Sequence, residues 1–200
     1  MLNKNTVEIW QFPNIGYISD TVPKNIFNTV KTETEEILKD FTKSQTYNKD
    51  LVGHIDKEFA MPNSMPILDP YVQELSYAYA NCFKYELPPL KLASLWVNYQ
   101  QKHEFNPIHD HRSLMSFVIW VKIPFTKENE AEIFKKSNEQ PVSGQFHFVY
   151  TNSLGDINSY SPQEKEGMIA IFPSQMKHMV YPFFTSDDYR ISVAGNLIAQ

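Results

Sequence analysis

The spacing of apolar residues changes near residue 89 of the chain. Before that point apolar residues recur every three or four positions, which is typical of helices with one buried face. After it they form short runs rich in β-branched and aromatic residues, separated by turn residues, which is typical of strands. No repeat or linker divides the 200 residues, so we expect one domain, with a helical N-terminal support over 1–89 and a β-rich core over 90–200.

The first predicted helix begins near Pro23, because proline suits the first position of a helix, and it continues to about Phe41. Apolar residues at helical spacing give it one buried face: Ile26, Val30, Ile37 and Phe41. A short strand is predicted before it, over residues 7–10. Residues 42–66 are polar and rich in proline and methionine, so they are predicted to form a loop with at most one short strand.

A second helix is predicted to start at Asp69-Pro70, where a capping side chain precedes a proline at the first helical position. The pair Pro88-Pro89 ends it. Its buried positions follow helical spacing: Val72, Leu75, Tyr79 and Phe83. Both helices are expected to pack on the outside of the β-rich part.

Six apolar runs predict the strands of the second part: 90–99, 114–123, 145–151, 168–172, 179–183 and 189–197. Because no predicted helix separates these strands, a sandwich or barrel is favoured over an alternating strand–helix sheet. The fold class is therefore mainly β with N-terminal helices, of jelly-roll type. The charged segment 127–141 is expected to be an insertion between strands.

Composition narrows the range of functions. With 42% hydrophobic and 14% aromatic residues, the chain can bury a substantial core. A net charge of −5 weighs against binding to duplex nucleic acid or to an anionic membrane surface. Residues 1–5 lack the apolar run of a signal peptide, and no segment approaches the length of a membrane span. We therefore expect a cytoplasmic protein.

Three of the six histidines form the candidate metal site. His109 and His111 directly precede a predicted strand, and residues two apart on a strand point to one side, whereas Asp110 would face the other way. His178 follows the strand over 168–172 and could supply a third ligand at the mouth of a barrel. Imidazole binds Fe, Zn, Cu and Ni, so the ligand type does not identify the metal.

The alternative for each of these residues is an ordinary polar role. A His-x-His pair alone is more often a feature of the solvated surface than a metal site. The remaining three histidines are less informative. His147 alternates with phenylalanines and is expected to pack. His54 lies in the predicted loop and either lines a pocket or has no role, and His103 is six residues before the cluster, too far to share its strand face.

Arg190 raises the expectation of a functional site. It begins the last predicted strand and shares a face with Ser192, so both would point inward if the alternate residues pack outward. A buried guanidinium requires an anionic partner, and its planar fork fits a carboxylate, with the serine hydroxyl as a further donor. The alternative is an exposed arginine paired with Asp187 or Asp188.

A histidine followed twelve positions later by Arg-x-Ser resembles the Fe(II)/2-oxoglutarate-dependent oxygenase superfamily. Further blocks are similar to oxygenase-like proteins of tailed phages of marine bacteria: WVNY at 96–99, HEFNPIHDH at 103–111, SFVIWVKIP at 116–124, FPS at 172–174, HMVYP at 178–182 and YRISVAGN at 189–196. The resemblance covers roughly residues 90–200 and, more loosely, the N-terminal helices. It is more specific in the order of the blocks than in any one block.

This resemblance implies a double-stranded β-helix, a cupin-like jelly-roll barrel, with Fe(II) and 2-oxoglutarate at its open end. By the same resemblance, His109 and His178 match the two metal histidines. The cosubstrate residues would be Arg190 with Ser192, and a contact from Asn98 or Tyr99 on a preceding strand.

The chain departs from the superfamily at one ligand. The usual motif is His-x-Asp or His-x-Glu, and here His111 stands in the carboxylate position. Ligation by Asp110 would require two adjacent residues to bind one ion, which a regular strand disfavours. We therefore expect either His111 or water in that position. An imidazole ligand leaves the site one unit more positive, which should shift the Fe(II)/Fe(III) balance and weaken metal retention.

The leading hypothesis is a hydroxylase-type 2-oxoglutarate-dependent oxygenase that acts on a small-molecule or peptide substrate. A three-histidine dioxygenase without a keto acid is an alternative, and it predicts that Arg190→Ala leaves metal binding and activity intact. A second alternative is a non-enzymatic phage jelly-roll module for binding or structure, since a fold does not fix a function. A phage-encoded protein would act in the host cytoplasm. The sequence identifies neither the substrate nor the oligomeric state.

Overall fold

The structure is a computed structural model that describes residues 15–48, 52–135 and 141–200. Its α-helices are α1 (Lys24–Lys39), α2 (Met65–Phe83) and α3 (Lys127–Phe134), and a 3-10 turn lies at Phe41–Lys43. Its strands are β1 (Ile18–Thr21), β2 (Glu58–Ala60), β3 (Leu90–Gln100), β4 (Asn106–His109), β5 (Met115–Lys122), β6 (Phe146–Thr151), β7 (Ile157–Tyr160), β8 (Met168–Pro173), β9 (His178–Val180) and β10 (Arg190–Ala199). The strand predicted over 7–10 lies outside the described residues.

Two antiparallel sheets form a jelly roll. The larger has the strand order β1-β8-β5-β10-β3-β2, and the smaller has the order β4-β9-β6-β7. The fold-class prediction is confirmed, and each of the six predicted strands overlaps an observed one. Strands β1, β4 and β7 are not among the six predicted apolar runs, because each has only four residues and none contains a fully buried one.

Two apolar clusters hold these layers together. The larger joins α1 and α2 to the outer face of the larger sheet, with these fully buried members: Val30, Leu68, Val72, Val97 and Val193. The smaller contains residues of both sheets and includes Trp120, Phe148 and Phe172. Alternate residues of β3 and β10 therefore face either the helices or the interior between the sheets.

The helix boundaries differ from the predicted ones. Pro23 precedes α1 as its N-cap residue instead of occupying the first turn. The predicted start of α2 is wrong, because the helix begins at Met65 and Pro66 occupies an early position. Asp69 lies inside the helix, and its carboxylate accepts a bond of 2.8 Å from the backbone N–H of Leu92. The side chain thus ties α2 to β3 rather than capping the helix.

The charged segment predicted as an insertion contains α3. The Thr126 hydroxyl accepts a bond from the backbone N–H of Asn129 and caps this helix. Glu130, on the same helix, is buried. None of the helices in the described part of the chain is long and apolar enough to cross a membrane.

Candidate metal centre

Three histidines converge at one end of the smaller sheet. Each of His109, His111 and His178 offers a ring nitrogen, and these atoms lie within 4.8 Å of one another. His109 ends β4 and His178 begins β9, and the two are direct partners in the ladder between these strands. The prediction that a single strand presents both His109 and His111 is wrong, because β4 ends at His109. A turn held by the bond from the His111 N–H to the Ser174 carbonyl, 2.8 Å long, positions the third ring.

Backbone carbonyls orient two of the three rings. The Nδ1–H of His109 donates to the carbonyl of Pro107 at 2.7 Å, and that of His178 donates to Met176 at 2.9 Å. These bonds leave Nε2 of both rings unprotonated and free to ligate a metal. The structure shows no comparable bond to the His111 ring among the residues it describes. That ring contacts Trp96 edge-on, with the ring centroids 5.8 Å apart.

The environment keeps all three imidazoles neutral. Burial, reinforced by the neighbouring His109 ring, lowers the pKa of His178 to about 3 and that of His111 to about 4. Burial also lowers the pKa of His109. Neutral imidazole is the metal-binding form, and a compact set of three fits a first-row metal such as Fe(II). The donor set therefore suits a resident metal ion.

Asp110 is turned away from the three rings. Its carboxylate forms an ion pair with Lys177, and 34% of its side chain is exposed. The cluster of possible ligands in the described part of the chain contains histidines and no carboxylate. Of the two neighbours Asp110 and His111, it is His111 that offers a ligand atom to this cluster.

The histidines share a pocket with the predicted cosubstrate residues. Arg190 and Ser192 on β10 and Asn98 on β3 line it, and its empty volume, including the open mouth, is about 570 Å³. The Asn98 amide donates to the Ser192 hydroxyl at 3.3 Å. Tyr99 faces the opposite side of β3, where it is fully buried and its hydroxyl donates to the Thr34 carbonyl at 2.6 Å. Tyr99 is therefore a core residue that lies outside the pocket.

Arg190 has a partner that the sequence analysis missed. Its Nη2 lies 2.5 Å from Oε2 of Glu164, and the two side chains are only 3% and 4% exposed. Its Nη1 donates to the Gln100 side chain at 3.1 Å. The candidate partners Asp187 and Asp188 instead pair with lysines. Glu164 lies in the loop before β8, far from Arg190 in sequence, and no local pattern marked it.

The Nε atom of Arg190 is buried and, within the described residues, has no hydrogen-bond partner. A buried donor without a partner is costly, so a ligand atom that accepts from it would be stabilised. Because Arg190 lines the same pocket as the histidines, this donor fits a carboxylate of a ligand that also reaches the metal. The site therefore fits 2-oxoglutarate as well as a metal ion.

The other three histidines do not join the cluster. His54 is exposed and stacks on Phe105, with the ring centroids 4.7 Å apart. His103 is also exposed. His147 is buried, as predicted, and contacts the Gln145 side chain through Nε2 at 3.2 Å.

Comparison with solved structures shows which proteins share this fold. A Pseudomonas putida prolyl-4-hydroxylase matches with a TM-score of 0.62 at 11% identity, over 93% of this chain and 94% of that one. SnoN, the non-heme α-ketoglutarate-dependent epimerase from nogalamycin biosynthesis, matches with a TM-score of 0.63 at 14% identity, over 92% and 78%. The viral collagen prolyl hydroxylase of Paramecium Bursaria Chlorella virus-1 matches with a TM-score of 0.53 at 12% identity, over 92% and 96%.

Fold and site together define a jelly-roll, metal-dependent oxygenase. The family model described as "Putative 2OG-Fe(II) oxygenase" matches residues 94–196, just over half of the chain. The chain belongs to this family, and it is an oxidoreductase whose cofactors are Fe(II) and 2-oxoglutarate. No curated protein matches the sequence.

Proposed function

We propose that His109, His111 and His178 hold the iron of a hydroxylase-type oxygenase, and that Arg190, Ser192 and Asn98 bind 2-oxoglutarate beside it. The observation that carries this assignment is that the histidine cluster lines one pocket with Arg190, whose buried Nε has no hydrogen-bond partner among the described residues. The two ends of a keto acid would thus be recognised by different elements, the metal end by β4 and β9 and the carboxylate end by β10.

The bound metal and keto acid supply the oxidising chemistry, in which 2-oxoglutarate is decarboxylated to succinate as oxygen is activated. The residues of the chain would orient the keto acid and keep water out of the pocket. Arg190 would fix the distal carboxylate, and Ser192 would add a hydroxyl donor. The apolar walls formed by Phe146, Phe172 and Val118 would exclude water from the pocket.

The substrate would lie against the remaining wall of the pocket, which Glu58, Trp96 and Asn106 line. This wall combines an aromatic face with polar acceptors, and the Oδ1 atoms of Asn98 and Asn106 are buried without partners in the described part of the structure. It suits a small molecule or a peptide side chain. The resemblance to oxygenase-like phage proteins supports a protein that acts in the cytoplasm of a host.

Succinate formation from 2-oxoglutarate tests this function. Iron-loaded wild-type protein should form succinate only when oxygen is present, and His178→Ala and Arg190→Ala should abolish the reaction. The exposed His54→Ala is the matched control and should retain it. Unchanged succinate formation in Arg190→Ala would contradict the cosubstrate role of Arg190. Oxygen consumption without added 2-oxoglutarate that Arg190→Ala leaves intact would support the three-histidine dioxygenase instead. Failure of the iron-loaded wild-type protein both to bind and to consume 2-oxoglutarate would contradict the proposal.

A further inference from the structure

The buried pair of Arg190 and Glu164 has a consequence for cosubstrate binding. Arg190 is the cationic residue that lines the pocket, and a glutamate of the same chain already neutralises it. An incoming carboxylate therefore meets a neutral pair instead of a bare cation. Its attraction to Arg190 is offset by its repulsion from the carboxylate of Glu164.

Glu164 is held firmly in this position. Its Oε1 accepts a bond of 2.7 Å from the backbone N–H of Phe146 on β6, while its Oε2 contacts Arg190. Two residues later, Glu166 accepts a bond of 3.0 Å from the backbone N–H of Ile123 and anchors the same loop at a second point. Glu166 forms no ion pair with Arg190, which makes it a matched reference for Glu164.

We propose that Glu164 is an internal competitor for Arg190 and sets the affinity of the site for 2-oxoglutarate. This inference rests on the proposed role of Arg190 in binding the keto acid. Without ligand, Glu164 compensates the buried guanidinium, which would otherwise be an unpaired charge in the interior. On binding, the distal carboxylate of 2-oxoglutarate shares Arg190 with Glu164 through Nε, which has no hydrogen-bond partner in the described residues, or it displaces Glu164 from Nη2.

Replacing Glu164 by glutamine isolates the charge. The amide oxygen can still accept from Phe146, so the loop keeps its anchor, but the negative charge is removed. Glu164→Asp keeps the charge with a side chain one methylene shorter, which lengthens the contact with Arg190. A competitor predicts that affinity for the keto acid rises in the order wild type, Glu164→Asp, Glu164→Gln. A residue that only orients Arg190 predicts the reverse order.

The experiment is a calorimetric titration of 2-oxoglutarate into each protein loaded with Mn(II). This ion can coordinate the oxygen atoms of the keto acid, and no turnover then disturbs the titration. Glu164→Gln should bind 2-oxoglutarate about tenfold more tightly than wild type, as expected for removal of a close like charge. Glu166→Gln should bind as wild type does. A second readout is thermal unfolding: without ligand Glu164→Gln should melt below wild type, and 2-oxoglutarate should raise its Tm by more than it raises that of wild type.

Two outcomes overturn the inference, and they differ in what else they affect. If Glu164→Gln and Glu164→Asp bind 2-oxoglutarate no more tightly than wild type, Glu164 is not a competitor, and the proposed function stands. If neither wild type nor Glu164→Gln binds 2-oxoglutarate in the presence of metal, the inference and the cosubstrate role of Arg190 fail together. Should Glu164→Gln prove unstable, Glu164→Asp alone decides the order.

Discussion

His109 and His178 face each other directly across the β4–β9 ladder, with ring centroids 4.2 Å apart. The Nδ1 of each ring is bonded to a backbone carbonyl two residues earlier in its own chain segment. Register and hydrogen bonds thus fix the place and the tautomer of both rings before a metal arrives. His111 reaches the same point from a turn and has no such bond in the described part of the chain. The third ligand position is therefore the one most open to change.

Replacing His111 by a carboxylate should strengthen iron binding. His111→Asp converts three neutral donors into the two-histidine, one-carboxylate set and removes one unit of positive charge from the loaded site. We expect Fe(II) affinity to rise about tenfold or more, measured by competition with a chelator under anaerobic conditions. Because aspartate is shorter than histidine, His111→Glu is measured beside it.

His111→Ala provides the reference for that comparison. It should bind Fe(II) more weakly than wild type, because water replaces a protein ligand. If His111→Ala retains iron as well as wild type does, His111 is not a ligand. If neither carboxylate variant binds Fe(II) more tightly than wild type does, the charge argument is wrong.

Neighbouring substitutions on β3 test which face of the strand belongs to the site. Asn98 lines the pocket and Tyr99 packs beneath α1, so they should affect different properties. Asn98→Ala should weaken 2-oxoglutarate binding and leave the rest of the fold intact. Tyr99→Phe should leave binding unchanged and reduce the free energy of unfolding by about 1 kcal/mol, through loss of the bond to Thr34. Titration calorimetry and urea denaturation of both variants separate the two effects. Weaker 2-oxoglutarate binding in Tyr99→Phe, together with unchanged binding in Asn98→Ala, would show that Tyr99 and not Asn98 faces the pocket.

Glu58 should make stability depend on pH. Burial, together with the negative charge of Glu104, raises its pKa from the ordinary value of 4.5 to about 7, and the residue is 3% exposed. Since the folded protein holds this proton more tightly than the unfolded chain, the raised pKa costs nothing below about pH 4.5. The cost grows as the pH rises and levels off above about pH 7, where it amounts to roughly 3 kcal/mol.

Glu58→Gln should remove that dependence. The variant should be more stable than wild type at pH 8, and its advantage should shrink towards pH 5. Urea denaturation of metal-free protein at both pH values measures the difference. Equal pH dependence in wild type and Glu58→Gln would show that the carboxyl of Glu58 is not the group responsible.

Glu130 should be a principal anchor of α3. Its buried carboxylate accepts bonds from the backbone N–H groups of Phe184, at 3.0 Å, and Thr185, at 2.8 Å, and contacts the Ser143 hydroxyl. Glu130→Gln replaces one charged acceptor by a donor and should reduce the free energy of unfolding by about 2 kcal/mol. The exposed Glu128 on the same helix supplies the control, and Glu128→Gln should change stability little. Equal losses of unfolding free energy in Glu130→Gln and Glu128→Gln would contradict the role of Glu130 as an anchor of α3.

Sequence patterns predicted the elements whose signal is local. The period of two in β10 separates Arg190 and Ser192, which line the pocket, from Ile191 and Val193, which pack in the helix-covered cluster. The same alternation on β3 did not decide whether Asn98 or Tyr99 faces the pocket. Both neighbours are polar enough for a site, and only the packing of the helices on one face decides between them.

The unpredicted features depend on contacts between distant segments. The ion pair of Arg190 and Glu164 joins residues 26 positions apart through the packing of a loop against β6. The position of His111 depends on a backbone bond to Ser174 in another turn. Asp69 has the sequence of a helix cap but bonds to the backbone of β3, because α2 begins four residues earlier. None of these contacts follows from the local sequence pattern around the residues that make it.

Iron content after anaerobic loading and desalting tests the central claim most directly. Wild type should retain stoichiometric iron. So should His54→Ala, because this substitution removes a histidine that is not part of the cluster. His109→Ala and His178→Ala should each lose nearly all of it while keeping the far-ultraviolet circular dichroism spectrum of the wild type. Retention of iron by folded His109→Ala or His178→Ala, or its absence from wild type, would contradict a metal centre built on these histidines.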